Sequence, residues 1–225
     1  MGPLTGAAVR QQSIPVTIGI IVLSVIASFA TNFGRPRARG NELTLEQKLY
    51  YGLSITDPRI YQRTADPYEA IKRGEVWRFI TPMFMHGDAM HLAFNMLWVY
   101  FLGSAIERLQ GSLFFLALVL GTAFIGINVH VLMSDMEFLP SILRGTPFAI
   151  GASGAVYGLF GYLWVRPAID PDYPIRLVPM NVVLMLAWLV MCMTPLIPNV
   201  ANGAHLGGLF AGILAATIGR RSGHG

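Results

Sequence analysis

The chain is a succession of apolar runs of about membrane length, and nearly all of its charge lies in the connections between them. No other feature limits the possible folds so sharply. A bilayer core about 30 Å thick takes roughly 20 apolar residues as a helix, and runs near that size fall at 14–33, 89–109, 112–133 and 178–197. Two shorter ones follow the same pattern, at 152–166 and 203–219. Only 12% of the 225 residues are charged, against about 25% in soluble domains. The expected fold is therefore one all-α membrane bundle of six transmembrane helices, not a string of domains. The formal charge of +4 comes without Lys/Arg clusters interleaved with aromatics, so no nucleic-acid partner is expected; the charges suit the headgroups of a lipid bilayer. Cys192 is the single cysteine. It excludes an intrachain disulfide and a cysteine metal cage, and reads as a buried hydrophobe more readily than as a reactive thiol.

Residues 1–13 are expected to form a disordered cytoplasmic N-terminus, 14–219 the membrane domain and 220–225 a cytoplasmic tail. Arg10, the apolar run and the small residues Ala27, Ser28 and Ala30 also fit a signal peptide, although the run is long for one. Residues 34–85 form a long first loop lying on the membrane. Within it Thr44-Leu45-Glu46-Gln47 reads as a capping box, with Leu45, Leu49 and Leu53 on one face of a short helix. Trp77 and Arg78 in the same loop suit the membrane–water interface. Asp88 is placed to cap the second span. Residues 134–150 carry Asp135, Glu137, Pro140, Arg144 and Pro147 and cannot be a regular helix.

The fourth span is informative because it is short. From Ala152 to a stop at Arg166-Pro167 it reaches about 21 Å. With Arg166 at one surface, Ser153 lies below the other, so the preceding irregular segment must be re-entrant. Irregular backbone at that depth must be buried in protein or line a water-filled cavity. The short segments on one side hold Arg10, Arg108, Arg166, Arg176, Arg220 and Arg221, and those on the other only Arg144. That asymmetry places both termini in the cytoplasm, with the protein multi-pass in the cell (inner) membrane. Ser153 and His205 then share the outer half of the bilayer, and a site built on them opens to the extracytoplasmic side.

Two seams of small residues bring these two side chains into the argument. Gly154 and Gly158 are four apart, as are Ala204, Gly208, Gly212 and Ala216, and such seams let helices approach closely in a membrane. Packing one against the other brings Ser153 within reach of His205. A hydroxyl beside an imidazole is the minimum for nucleophilic catalysis. Taken alone, Ser153 more simply bonds the preceding turn, and His205 could be a helix-end histidine bonded at the interface. His91 and Asn95 are four apart and face the same way. They suit either oxyanion donation or interhelical hydrogen bonding. His86, His91 and His205 offer a rival reading as a metal site, but no His-Glu-x-x-His pattern supports it, so neither metal nor cofactor is expected. Tyr157 could hold the His205 ring or fill core. Asp88 and Glu107 are the only acids near the ends of spans two, four and six. Neither falls beside the serine, so the catalytic group is expected to be a dyad.

Taken together, these residues make the chain resemble the rhomboid intramembrane serine proteases over roughly residues 75–219. The matching pieces are Glu75-Val76-Trp77-Arg78, His86-x4-His91-x3-Asn95, Glu107 with Gly111, Gly151-Ala152-Ser153-Gly154, and Ala204-His205. The resemblance implies Ser153 as nucleophile and His205 as base, with Tyr157 stacked on the imidazole. It implies His91, Asn95 and the Ser153 N–H as oxyanion donors, with His86, Gly151, Trp77 and Arg78 in support. It also implies that span five and residues 196–202 act as gate and cap. The implied activity is cleavage of peptide bonds in or near transmembrane segments of other membrane proteins. Two other functions stay open: a rhomboid-like chaperone or adaptor that holds clients without cutting them, and a histidine-based proton or metal transporter. The intact Ser153/His205 pair tells against the first. Apart from Glu107 near the end of span two, the spans hold no acids, which tells against the second.

Overall fold

A computed structural model describes residues 13–39 and 42–218, and all its regular elements are helical. The expected N-terminal tail up to Gln12, the cytoplasmic tail, and Arg10, Arg220 and Arg221 lie outside the described residues. In chain order the helices are α1 (Pro15–Ala30), α2 (Leu45–Leu53), α3 (Pro58–Thr64), α4 (Glu69–Lys72) and α5 (Ala89–Trp98). Helix α5 runs through a π-helical stretch, Val99–Gly103, into α6 (Ser104–Gln110). Then follow α7 (Ser112–Ser134), α8 (Ser141–Arg144), α9 (Ser153–Ile169), α10 (Pro179–Cys192) and α11 (Asn202–Ile218). The rods Ala89–Gln110 and Ser112–Ser134, of 22 and 23 residues, are long and apolar enough to cross a membrane; α1, α10 and α11 are shorter apolar helices.

Helix α9 is the axis. Every residue from Gly154 to Leu163 is buried, with α11 and α7 packed against it. The seams meet backbone to backbone. A methyl group on Gly208 would run into the carbonyl oxygen of Gly154, and one on Gly212 into that of Gly158. Helix α7 closes the third side, where Gly126 lies against Ala204 and Gly154, and Thr122 fills the space beside Gly158.

Helix α9 does not end at Arg166-Pro167. It continues to Ile169 with Pro167 inside it, and Arg166 is only 3% exposed. A buried guanidinium must be bonded. Arg166 donates to Ala216 O (3.1 Å) and to Asp170 (3.2 Å), and Asp170 sits one turn further on. Pro167 costs one hydrogen bond near the end of the helix, which the helix survives. Helix α10 ends at Cys192, short of residue 197, because Thr194 precedes Pro195 and is pushed out of helical geometry.

The first loop is structured. The capping box at Thr44 and Gln47 forms as the sequence predicts, and of the leucines on one face Leu45 is 71% exposed while Leu49 and Leu53 are half-buried. The last carbonyls of α2 have no partner within the helix. Arg78 Nη1 donates to Tyr51 O (2.5 Å) and Ser54 O (2.6 Å), Trp77 Nε1 to Gly52 O (3.1 Å) and Thr81 Oγ1 to Leu53 O (2.7 Å). Glu75 pairs with the other edge of the guanidinium. Burial alone would push the Asp57 carboxyl up, yet hydrogen bonds from the Arg59 side chain and backbone hold it below the ordinary carboxylate range.

Candidate active site

Ser153 opens α9 and His205 lies in the first turn of α11, so the glycine contact between these helices sets their separation. His205 Nε2 is 2.8 Å from Ser153 Oγ. His205 is 4% exposed, while Ser153 is partly accessible. The Tyr157 ring lies against the imidazole with centroids 4.7 Å apart and planes inclined by 37°, and its hydroxyl donates to Met185 O at 3.1 Å. Tyr157 thus both braces the histidine and ties α9 to α10. Among the described residues no side chain hydrogen-bonds His205 Nδ1, and Asp88 is occupied at the start of α5, where it accepts from His91 N–H at 2.8 Å.

The tautomer of His91 follows from its neighbours. Its Nδ1 accepts from Gly87 N–H at 3.3 Å, which puts the ring proton on Nε2. That edge of the ring lies against Gly151, where a Cβ would stand 2.8 Å from Nε2. Gly151 also has φ +119°, so contact and backbone both require glycine. Asn95 is buried and gives one amide proton to His91 O at 2.8 Å, which leaves the second for another acceptor. Ser153 N–H, at the positive end of α9, has no backbone acceptor among the described residues.

His86 sits one layer back. Its ring is 5.0 Å from that of His91, with Nε2 3.3 Å from Ala152 N and Nδ1 3.2 Å from Ser28 Oγ. Both nitrogens are therefore engaged, and His86 does not converge with His91 and His205 on a common point. Trp77 and Arg78 are bound up with the end of α2 and touch neither Ser153 nor His205. Glu107 is equally remote, accepting from Val16 N, Thr17 N and Ser112 Oγ at 2.7–2.9 Å and capping α1.

Sequence reasoning missed three residues around this site. His130 on α7 is buried between Gly145 and Gly203; an ionisable side chain within an apolar run was the available signal. Asn202 gives both amide protons away, to Ile142 O and Cys192 O, each at 2.9 Å. It thereby joins the start of α11 to α8 and to the end of α10. Ser28 was read only as a small residue of a possible cleavage signal.

A serine hydroxyl hydrogen-bonded to an imidazole, on two helices of a largely apolar bundle, defines a helical membrane protein with the groups of a serine hydrolase. The Rhomboid domain model matches residues 73–222, and the chain belongs to that family, which makes it a multi-pass membrane protein. Curated relatives named Rhomboid protease GlpG, from Salmonella paratyphi A and Salmonella newport, are 33% identical over 172 residues, and that from Salmonella choleraesuis is 34% identical. The match covers 76% of this chain, and the chain spans 58% of the length of these relatives.

Proposed function

We propose that the chain is an intramembrane serine endopeptidase that cleaves peptide bonds in or near transmembrane segments of membrane proteins. The observation that carries this reading is the 2.8 Å contact between Ser153 Oγ and His205 Nε2. Ser153 attacks the scissile carbonyl while His205 takes its proton at Nε2. The oxyanion receives hydrogen bonds from His91 Nε2–H, the second Asn95 amide proton and Ser153 N–H, donors fixed before the charge develops. His205 returns the proton to the leaving amine, then activates the water that resolves the acyl-enzyme. The chain's own groups and water complete the reaction. The imidazole acts as a dyad base, held by Tyr157 rather than by a carboxylate.

The spans of the proposed bundle are α1, α5–α6, α7, α9, α10 and α11, with residues 134–150 re-entrant. Four of these helices are shorter than the roughly 20 residues a bilayer core needs, so flanking turns and local thinning of the bilayer make up the difference. Helix α10 and residues 196–202 form the gate and cap. Both termini lie in the cytoplasm of a cell whose inner membrane holds the protein. The intact pair favours an enzyme over a client-holding adaptor. Fluorophosphonate should label the wild type and not Ser153→Ala; equal labelling of both would refute the assignment. For orientation, cysteines placed at Gly145 or Asn199 should react with an impermeant thiol reagent from outside, and one at Asp172 should not. The opposite pattern puts the site on the inner face.

A further inference from the structure

We propose that α1 is a positioning element of the catalytic site, acting through Ser28 and His86 on the backbone just before the nucleophile. The inference rests on the protease reading above and reaches beyond the matched family region, since Ser28 lies outside residues 73–222. Helix α9 starts without a side-chain cap from its own N-cap residue, Ala152. The amides leading into it therefore need acceptors from elsewhere. Gly151 N–H finds Pro82 O at 3.0 Å, and Ala152 N–H finds His86 Nε2 at 3.3 Å.

A backbone N–H can only donate, so Nε2 of His86 carries a lone pair and the ring proton is on Nδ1. Nδ1 is 3.2 Å from Ser28 Oγ and donates to it. The Ser28 hydroxyl donates onward to Phe84 O at 3.4 Å. The series runs in one direction, from Ala152 N–H through His86 and Ser28 to the Phe84 carbonyl. Ser28 and His86 are wholly buried and Ala152 is 1% exposed, so water cannot replace a lost member. Two successive amides are thus fixed ahead of Ser153, and Ser153 N–H is the next one, directed at the substrate oxygen. Such donors help only if they are held in place before reaction.

The rest of α1 agrees. Its buried positions are Thr17, Ile20, Ser24 and Ser28, one face of the helix and mostly polar. Helix α1 is moored at its start, where Thr17 Oγ1 donates to Glu107 at 2.6 Å, and at its end through His86. A helix serving only as an anchor in lipid needs neither bond.

The test uses the full chain in detergent or proteoliposomes. It measures the rate of fluorophosphonate labelling, kcat and KM on a transmembrane peptide substrate, and the thermal midpoint. Ser28→Ala should lower the labelling rate and kcat per folded molecule roughly 10-fold, with KM nearly unmoved and the thermal midpoint lowered by only a few degrees, the cost of one unpaired buried donor. Ser28→Thr, which keeps the hydroxyl, should recover most of the rate. Because the groups act in series, Ser28→Ala combined with His86→Gln should be no slower than His86→Gln alone. Nitrogen NMR of the wild type, which needs no variant to fold, should show His86 protonated at Nδ1. Wild-type rates in Ser28→Ala, independent addition of the two substitutions, or a proton on Nε2 would each overturn the proposal. If the wild type labels at Ser153 and these results go against Ser28, only the role of α1 fails; if Ser153→Ala labels as well as the wild type, the protease reading fails first.

Discussion

Helices α9 and α10, joined through Tyr157, are held in opposite ways. Along α9, ten successive residues are buried and the backbone touches that of α11 through glycines. Along α10 only Met185, Leu189 and Cys192 are buried, while Val183, Leu184, Trp188 and Val190 are 46–64% exposed. Helix α10 is tied by a few identifiable contacts: Tyr157 to Met185 O, Asn202 to Cys192 O, and Trp188 stacked on Phe94 at 6.2 Å. The pair proposed as catalytic stands on the tight contact, where a displacement of even 1 Å would cost much of the rate. The wall proposed as the substrate gate is the loosely held one, and local opening favours elements with few buried contacts. Precision and access are thus assigned to different helices.

The sharpest way to break this contrast is at the chemistry. Ser153→Ala and His205→Ala should each reduce cleavage to background in a protein that still folds. The double variant should be hardly worse than either, because the two act as one unit. Additive losses would mean that the pair does not work together.

Next in size is the seam itself. Gly208→Val or Gly212→Val places a side chain where the carbonyl of Gly154 or Gly158 stands. Overpacking of this kind typically costs about 1–3 kcal/mol, and a clash with backbone belongs at the upper end. Thermal unfolding should show the loss, and activity should fall in the molecules that remain folded. A fully active Gly208→Val protein would show that the contact between α9 and α11 does not set the site.

Asn95→Ala tests the donors on α5. Loss of one oxyanion donor costs about 10²-fold in kcat, and KM should be little changed. A change in KM alone would demote Asn95 to packing. Trp188→Ala acts on the loose side. It removes a stack worth about 0.5–1.5 kcal/mol and should leave kcat intact or raise turnover a few-fold by easing access. A loss as deep as that of Asn95→Ala would mean that α10 belongs to the rigid part.

The smallest effect is expected at Asp88. Asn caps a helix about as well as Asp, so Asp88→Asn should retain activity within a few-fold. If it were as inactive as His205→Ala while still folded, a carboxylate would have to be part of the catalytic group.

The sequence by itself determined the class, the helical runs, the seams and the pair Ser153/His205, because each depends on spacing along one helix or on length against a bilayer. Glycines four apart predicted which faces would meet, and those faces do meet. A helix boundary was legible when its signal was local, as with the capping box at Thr44 that starts α2. It was not legible at Arg166: Asp170 is an i+4 neighbour at the end of the same helix, but Ala216 O becomes a partner only once α9 and α11 are packed. Trp77 and Arg78 were visible as a motif, but their work on the end of α2 was not, since it depends on which carbonyls a folded loop leaves open. Ser28 and Asn202 carry no pattern in the chain, and His130 only that of an ionisable group in an apolar run. Their significance comes from buried donors and acceptors that must find one another across helices, a matching that only the tertiary structure decides.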